Sequence, residues 1–395
     1  MCIRDRGGQH PDIVDCGVER ADVVVVFVFS HALIVPEMLV NAYVVGAGWA
    51  SQSKTIHSPT SRTKRNQGHP ATLRPVRYED SNLPIGPLSR GELLARHGIH
   101  TTELAANYVQ LRDGRHVRAD HARDMNTLID HAAARYPDGV IGLWGAAHAH
   151  GHKWLPWDAL PAVFVEPTRR TPIDAISLDQ HLRTPHPEPR AMPMFAMART
   201  ILPVDAITDI GGIRYTTPLR TAFDLSRIHL LPEAVAAVDG LCAAVPGLID
   251  DIRRAAQIRD RSMRGIGRFR EVAALASPLS ESPWESRTNV LMHAIGLEGM
   301  VQQHSVIVFI DGMEIEVRMD FANVLARTGV EYLGKHHEYE HNRRWDQLRT
   351  AALAKLDWRL ITLNARAVTT RWRQTAQALK RTMAERMELG RRLGW

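Results

Sequence analysis

Residues 306–321 of the chain read VIVFIDGMEIEVRMDF, and this stretch decides the fold of the C-terminal third. Asp311-Gly312 separates two apolar-rich segments, and an Asp-Gly pair in that position is a strong signal for a β-hairpin turn. In the second segment apolar and polar residues alternate, as they do in a strand with one buried face. The apolar side carries Met313, Ile315, Val317, Met319 and Phe321, and the polar side carries Glu314, Glu316, Arg318 and Asp320.

A third strand is predicted at residues 329–334, which read GVEYLG. Asp320 ends one strand and Glu331 lies in the next, so we expect the two carboxylates to lie side by side. Unpaired, they would repel each other, and a hard divalent cation removes that repulsion. Mg²⁺ favours one or two carboxylates together with water and phosphate oxygens. The pair therefore predicts a Mg²⁺ (or Mn²⁺) site that activates water and stabilises charge on a scissile phosphate.

A helix is predicted just before these strands, beginning with SPWE at residues 282–285. Ser282 followed three residues later by Glu285 is the pattern of a capping box, and Pro is favoured in the first turn of a helix. Apolar residues then recur at helical spacing and predict one buried stripe along this helix. The stripe consists of Trp284, Thr288, Leu291 and Ile295.

Several motifs follow one another in order along residues 282–370. They are Glu285 in the first helix, Asp320-Phe321, Glu331-Tyr332-Leu333-Gly334 and His337, then Asp346, Arg349 and Trp358-Arg359-Leu360-Ile361. This order resembles the PD-(D/E)xK nuclease superfamily, in particular the family similar to very-short-patch-repair endonucleases. The resemblance implies a restriction-endonuclease-like domain at 281–370, with a mixed sheet flanked by helices, that cleaves DNA with Mg²⁺.

The resemblance also implies roles for individual residues, with one departure from the family pattern. Where the family has Asp or Lys two residues after the strand glutamate, this chain has Leu333, which neither binds metal nor activates water. Lys335 or His337 is therefore expected to handle the proton, and the ordinary pKa of His, about 6.5, suits a general base. The candidate catalytic residues are Asp320, Glu331, His337, Lys335 and Glu285, and the candidate metal ligands are Asp320 and Glu331.

Each candidate also has an ordinary structural explanation. In these alternatives Glu285 only completes the capping box, Asp320 pairs with Arg318 or Arg343, and Glu331 pairs with Lys335.

Residues 81–120 carry the pattern of a winged helix-turn-helix. Ser89, followed three residues later by a carboxylate, predicts a capping box for a short helix, and Thr101 or Thr102 is expected to cap a second one. Asp113-Gly114 then predicts a tight hairpin. In that arrangement the second helix enters a major groove and hairpin arginines meet phosphates. The candidate DNA-binding residues are Arg112, Arg115, Arg118, Thr101 and Thr102; the alternative is a helical hairpin that only packs against the next domain.

A second resemblance covers the N-terminal and central parts. Residues 88–117, then Gly145-Ala146-Ala147, then TPLRTAFDL at 217–225 are similar to the actinobacterial AbiEi-type antitoxin proteins, and TPLRTAFDL is the most specific piece. The resemblance implies a winged helix followed by an α/β antitoxin-like domain at 121–275. It also implies a DNA-binding regulator that represses its own operon beside a cognate toxin protein.

The composition bounds the class of protein. The 395 residues are enough for two or three domains, and 45% hydrophobic with 23% charged residues is typical of globular chains. An excess of 49 Lys and Arg over 43 Asp and Glu gives +6, which is compatible with a polyanion partner. The three cysteines, Cys2, Cys16 and Cys242, have no paired spacing, which excludes a disulfide scaffold and favours a reducing cytoplasm. No small-molecule cofactor is predicted.

The two ends of the chain differ from the rest. Residues 1–80 are interpreted as a disordered or misread extension: MCIRDR at 1–6 is similar to translated adapter sequence, 23–50 is mostly apolar, and 51–78 is basic without any acid. His31, Pro36 and Glu37 interrupt the apolar run, so a membrane anchor is not expected. Residues 371–395 predict a basic helical tail, either lying along phosphates or solvated at the surface.

Two interpretations of the whole chain stay open. In the first it is a cytoplasmic bacterial enzyme, a Mg²⁺-dependent DNA endonuclease that the winged helix-turn-helix targets. In the second it is a non-catalytic transcriptional regulator or antitoxin on a degenerate nuclease fold, with DNA and a cognate toxin as partners. Leu333 separates the two and slightly favours the second.

Overall fold

The computed structural model describes residues 83–111, 113–170, 175–183, 193–258, 263–334 and 340–395. The predicted extension at 1–80 lies outside these residues, as do Arg112, Lys335 and His337. Helices and mixed sheets alternate along the described part, which confirms the α/β class. Within the same residues no helix is long and apolar enough to cross a membrane.

Two short helices and a hairpin form the N-terminal unit. They are α1 (Arg90–Ala95), α2 (Thr101–Asn107), β1 (Tyr108–Gln110) and β2 (His116–Arg118). The predicted capping box is present, since Ser89 Oγ accepts from the Glu92 N–H at 3.1 Å and the Ser89 N–H donates to the Glu92 carboxylate at 2.8 Å. The prediction for α2 is wrong: His100 is its N-cap, because the Glu103 carboxylate accepts the His100 N–H at 3.1 Å. Thr101 therefore lies inside the first turn.

The predicted Asp113-Gly114 turn connects β1 and β2, which pair antiparallel with Val109 opposite Val117. Gly114 has a φ of 84°, a left-handed conformation that glycine adopts without steric cost. The buried residues of this unit form a small cluster made of Leu93, Ile99, Leu104 and Tyr108. This cluster holds the two helices and the hairpin together.

The central unit is a six-stranded mixed sheet with helices. Its elements are α3 (Met125–Arg135), β3 (Val140–Gly142), α4 (Leu143–Ala149), β4 (Pro161–Val165), β5 (Ala175–Ser177), α5 (Leu178–Arg183), β6 (Phe195–Arg199), β7 (Ile207–Ile210), β8 (Ile213–Thr216), α6 (Pro218–Ser226), α7 (Leu231–Ala244), α8 (Leu248–Gln257) and α9 (Ile266–Leu275). The strand order is β5-β6-β4-β3-β8-β7. Its two edge strands are β5 and β7.

Local backbone geometry explains how β3 passes into α4. Leu143 has a φ of 52°, so the chain turns at once from strand to helix and β3 ends at Gly142. A Cβ at Gly145 would lie 2.7 Å from side-chain carbons of both Ile141 and Pro161. Gly145 therefore allows α4 to pack closely against the sheet, and any larger residue there would separate the two.

The TPLRTAFDL motif forms α6 and supplies a buried charge. Asp224 is fully buried and lies 2.9 Å from Arg220 and 3.6 Å from Arg227. Burial raises the pKa of Asp224, and the two guanidinium groups act against that shift. A buried carboxylate requires such partners, so this ion cluster gives part of the motif a structural explanation.

The C-terminal unit is built on the predicted hairpin. Its elements are α10 (Pro283–Ala294), β9 (Met300–Ile310), β10 (Met313–Asn323), β11 (Thr328–Tyr332), α11 (Glu340–Lys355), β12 (Arg359–Leu363), α12 (Ala365–Val368) and α13 (Trp372–Leu393). The strand order is β12-β11-β10-β9; β9, β10 and β11 pair antiparallel, and β11 and β12 pair parallel. Asp311 and Gly312 turn the hairpin with φ of 52° and 79°.

The helix α10 belongs to two cores at once. Val290 lies in the core of the central unit, whereas Leu291 and Ile295 lie in the core of the C-terminal unit. Trp372 and Leu379 of α13 join that second core. The predicted helix at the C-terminal end is thus present, and one of its faces is buried.

A buried carboxylate on α7 fixes the position of α10. Asp239 is fully buried and accepts hydrogen bonds from the Ser277 N–H at 2.8 Å, the Ser280 hydroxyl at 2.8 Å and the Ser286 hydroxyl at 2.7 Å. Ser286 lies on α10, and the two other serines lie in the segment leading to it. Removing Asp239 would leave these buried donors without their partner.

A second polar link between the same helices is partly buried. Arg287 on α10 makes two parallel hydrogen bonds with Glu233 on α7, at 2.8 and 2.7 Å. The paired geometry is the fork arrangement that suits a guanidinium and a carboxylate. Together with Asp239, this pair sets both the position and the rotation of α10.

Asp239 makes the stability of the chain depend on pH. Burial raises the pKa of Asp239 to about 7, and the negative charge of Glu285 adds to the increase. Because the folded-state pKa lies above the unfolded one, the stabilisation is complete below the unfolded pKa and is lost as pH rises through about 7. Wild type should therefore lose more unfolding free energy between pH 4 and 7 than Asp239→Asn, with a difference of about 1 kcal/mol per pH unit. Urea unfolding across this range measures it, and identical pH profiles would contradict the assignment.

Candidate active site

The register of the sheet brings the two predicted metal ligands together. Phe321 on β10 pairs with Val330 on β11, so the same register places Asp320 opposite Glu331. Directly opposed residues of antiparallel strands have Cβ atoms about 5 Å apart on one face. The predicted proximity of the two carboxylates therefore follows from one observed pair, and α10 adds Glu285 beside them.

Glu331 is the most buried of the three carboxylates. Its residue is 5% exposed, and its Oε2 accepts a short hydrogen bond from Nη2 of Arg349 on α11. Its other oxygen, Oε1, is buried without a hydrogen-bond partner among the described residues, and so is Nε of Arg349. Lys335, the predicted alternative partner, lies outside the described residues. The site thus contains one unused acceptor and one unused donor, both buried.

Asp320 is bonded to the backbone rather than to an arginine. Its Oδ2 accepts the Tyr332 N–H at 2.8 Å. The alternative pairing with Arg318 is wrong, because Arg318 donates to Glu281 at 2.8 Å. The Arg343 side chain lies outside the described part, so that pairing stays a prediction. One oxygen of Asp320 is held in place by Tyr332, which fixes the carboxylate relative to β11.

Glu285 is buried and accepts three hydrogen bonds. They come from the Glu281 N–H at 2.8 Å, the Ser282 hydroxyl at 2.8 Å and the Gln303 amide at 3.0 Å. Ser282 caps α10 as predicted, since its Oγ accepts the Glu285 N–H at 3.2 Å. The carboxylate, however, bonds the N–H of Glu281 rather than that of Ser282, which corrects the predicted capping box.

Burial and the charge of Asp320 raise the affinity of the site's carboxylates for protons. Burial raises the pKa of Glu285, Asp320 and Glu331, and in each it is the largest cause. The charge of Asp320 raises the pKa of both Glu285 and Glu331, whereas Arg349 lowers the pKa of Asp320 and Glu331. The site therefore concentrates negative charge that one guanidinium compensates only in part.

The donor set suits a hard divalent cation. Among the described residues no group of three or more His, Cys, Asp or Glu side chains is placed to hold a metal ion. Mg²⁺, however, is usually bound by one or two carboxylates with water filling the remaining positions. Asp320 and Glu331 form such a pair, and the unpartnered Oε1 of Glu331 is an oxygen free to accept a cation.

Comparison with known proteins adds no relative. No protein-family model, no curated protein and no solved structure matches this chain. The resemblances to very-short-patch-repair endonucleases and to AbiEi-type antitoxins therefore stay predictions, and geometry alone supports a function.

Leu333 occupies the position where the family pattern has a ligand or a base. It follows β11 directly and its N–H donates to Leu363 on the neighbouring strand at 2.8 Å. Two residues beyond Glu331, it lies on the same side of the strand, so an apolar side chain stands beside the carboxylates. Lys335 and His337 lie outside the described residues and remain the predicted proton-handling groups.

The candidate DNA-binding residues fall into two groups. Thr101 and Thr102 are exposed in the first turn of α2. The two described arginines of the hairpin make contacts within the chain: Arg115 pairs with Asp113, and Arg118 pairs with Asp120 at 2.7 Å. Arg112 lies outside the described residues. In both ion pairs the acid lies close to its arginine in the sequence, so the sequence of the hairpin already contained both partners.

An aromatic stack connects the carboxylate site to the joint between the units. The rings of Trp284 and Tyr332 stack 5.0 Å apart at an angle of 4°, and the Arg287 guanidinium lies 4.5 Å above Trp284 on its way to Glu233. Sequence analysis placed Trp284 on a buried stripe but gave it no partner. Its partner, Tyr332, lies on strand β11, so the spacing of residues along the helix could not reveal the stack.

Arg349 is expected to stabilise the fold through Glu331. Arg349→Met removes the guanidinium and leaves Glu331 buried without a counter-charge, so the free energy of unfolding should fall by about 3 kcal/mol. The matched control is Arg344→Met, an exposed arginine on the same helix, which should change stability little. Urea unfolding of both variants measures the difference. Adding Glu331→Gln to Arg349→Met should restore much of the loss, and equal stability of the two arginine variants would contradict the pairing.

Proposed function

We propose that this chain is a DNA-binding protein whose C-terminal unit cleaves DNA phosphodiesters with Mg²⁺ or Mn²⁺. The observation that carries the proposal is the convergence of Glu285, Asp320 and Glu331, two buried carboxylates and a partly buried one, from a helix and two neighbouring strands. Burying like charges close together is costly. Carboxylates with perturbed pKa values in such a cluster are typical of functional sites. A divalent cation relieves the repulsion.

The order of elements supports the same proposal. A helix, three antiparallel strands, a second helix and a parallel strand follow one another as α10, β9, β10, β11, α11 and β12. This is the arrangement that the resemblance to restriction-endonuclease-like domains implies. The candidate metal ligands lie on β10 and β11 and the candidate catalytic Glu285 lies on α10, so the motifs and the elements that carry them agree.

The residues of the site have distinct tasks in this mechanism. Mg²⁺, when bound, supplies charge for the phosphate and lowers the pKa of water. Asp320 and Glu331 would hold it, and Glu285 would add negative charge beside them. Arg349 donates to Glu331 and would keep that carboxylate in place. Lys335 or His337 is proposed to take the proton.

The N-terminal unit is proposed to bring the chain to DNA. Two helices and a hairpin with exposed hydroxyl residues at the start of α2 fit a winged helix-turn-helix, in which the second helix enters the major groove. Thr101 and Thr102 are then the groups closest to base edges or phosphates. The net charge of +6 favours a polyanionic partner.

A second function is favoured by the ion pair in the site. Arg349 already compensates part of the charge of Glu331, and Leu333 replaces a residue that would hold metal or activate water. Both features suit a nuclease fold that has lost catalysis. In this alternative the chain is a transcriptional regulator or an antitoxin that binds DNA and a cognate toxin.

Cleavage of supercoiled plasmid separates the two functions. With Mg²⁺ or Mn²⁺ the wild-type chain should nick plasmid, and Asp320→Ala should lose the activity by about a hundredfold or more, because it removes a metal ligand. The matched control is Glu316→Ala, an exposed carboxylate on the same strand, which should cleave like wild type. Gel electrophoresis of the plasmid measures the rates.

Wild-type protein that shifts DNA in a gel but never nicks it, with either cation, would refute the nuclease and support the regulator. Nicking that survives in Asp320→Ala would place the chemistry outside the carboxylate site.

DNA binding by α2 is tested by introducing a negative charge that repels phosphates. Thr102→Glu places a carboxylate on the exposed first turn of α2 and should weaken DNA binding by about tenfold or more through repulsion. Gln257→Glu adds the same charge at an exposed position of α8 in the central unit and should bind like wild type. Fluorescence anisotropy with labelled duplex measures both affinities. Equal weakening in the two variants would refute a specific role of α2.

A further inference from the structure

Gln303 has a backbone conformation that is unusual for a strand residue. Its φ is 53°, in the left-handed region that residues other than glycine rarely adopt. The register on either side is unchanged, with Gln302 opposite Phe321 and His304 opposite Met319. The position between these pairs, where Gln303 lies across from Asp320, is the one at which the β9–β10 ladder is interrupted. Such departures cluster at functional sites.

The side chain of Gln303 uses this conformation to reach the carboxylate site. Its Nε2 donates to Glu285 Oε2 at 3.0 Å and lies 3.3 Å from the Leu279 carbonyl oxygen. The other two donors to Glu285, from Glu281 and Ser282, belong to the start of its own helix. Gln303 is thus the donor that ties Glu285 to the sheet.

We propose that Gln303 is a positioning residue, whose left-handed backbone and amide hold the Glu285 carboxylate at a set distance from Asp320. The inference rests on the proposed function, because the position of the Glu285 charge matters when Asp320 and Glu331 beside it hold a cation. A residue in ordinary strand conformation would direct its side chain to one face of the sheet and keep the ladder with β10 intact. The β9–β10 ladder is thus interrupted at Asp320, and the Gln303 amide instead connects the sheet to Glu285 on α10.

The test compares Mn²⁺ binding by calorimetry without DNA, so that cleavage is not required. Gln303→Ala should weaken Mn²⁺ binding by about ten- to a hundredfold, as the loss of a residue that orients a metal site commonly does. Gln303→Asn should do the same, because it tolerates the left-handed backbone but its amide is one methylene too short. Gln302→Ala is the matched control, since that amide donates to Ser280 at 3.2 Å, and it should bind Mn²⁺ like wild type.

Two backgrounds separate positioning from a general loss of structure. In Glu285→Ala protein, adding Gln303→Ala should have no further effect on Mn²⁺ binding, because its target is gone. In urea unfolding of the metal-free proteins, the two substitutions should be coupled rather than additive.

Equal Mn²⁺ affinity of wild type and Gln303→Ala would overturn the proposal, as would a loss of the same size in the Glu285→Ala background. Wild-type protein that binds no Mn²⁺ would refute the proposed function instead. The urea cycle then decides the role of Gln303 by itself: coupling supports it, and additivity overturns it.

Discussion

The structure depends on how α10 is held between two units. Its residues contribute to two cores, and its polar side is fastened to α7 by the Ser286–Asp239 and Arg287–Glu233 contacts. A carboxylate as deeply buried as Asp239 is tolerated because three donors surround it. Displacing α10 would leave these groups unpaired, and so the helix has one well-defined position.

That position determines the chemistry of the candidate site. Glu285 lies in the first turn of the helix, so the contacts that fix α10 against the central unit also fix this carboxylate beside Asp320. The Trp284–Tyr332 stack extends the same connection to β11, next to Glu331. The central unit and the carboxylates are therefore joined by one continuous set of packed groups.

The charge balance within the site is unequal. The charge of Asp320 raises the pKa of Glu285 and Glu331, and Arg349 lowers the pKa of Glu331 and Asp320. The remaining negative charge is the physical reason for proposing a cation, whereas the Arg349 pair is the reason for keeping a non-catalytic alternative. Leu333 also favours the non-catalytic alternative, because it makes the surroundings of Glu331 less polar.

The sequence by itself determined the features that depend on neighbouring residues. The Asp311-Gly312 hairpin, the alternation along β10 and the extent of α10 follow from local turn chemistry and periodicity, and they placed Asp320 and Glu331 side by side. Tertiary structure alone decided which groups complete the site. Asp239 meets Ser286 across 47 residues and Glu233 meets Arg287 across 54, and Gln303 and Arg349 reach their carboxylates from other elements. Such partners are set by how the helices and the sheet pack, which no local pattern encodes.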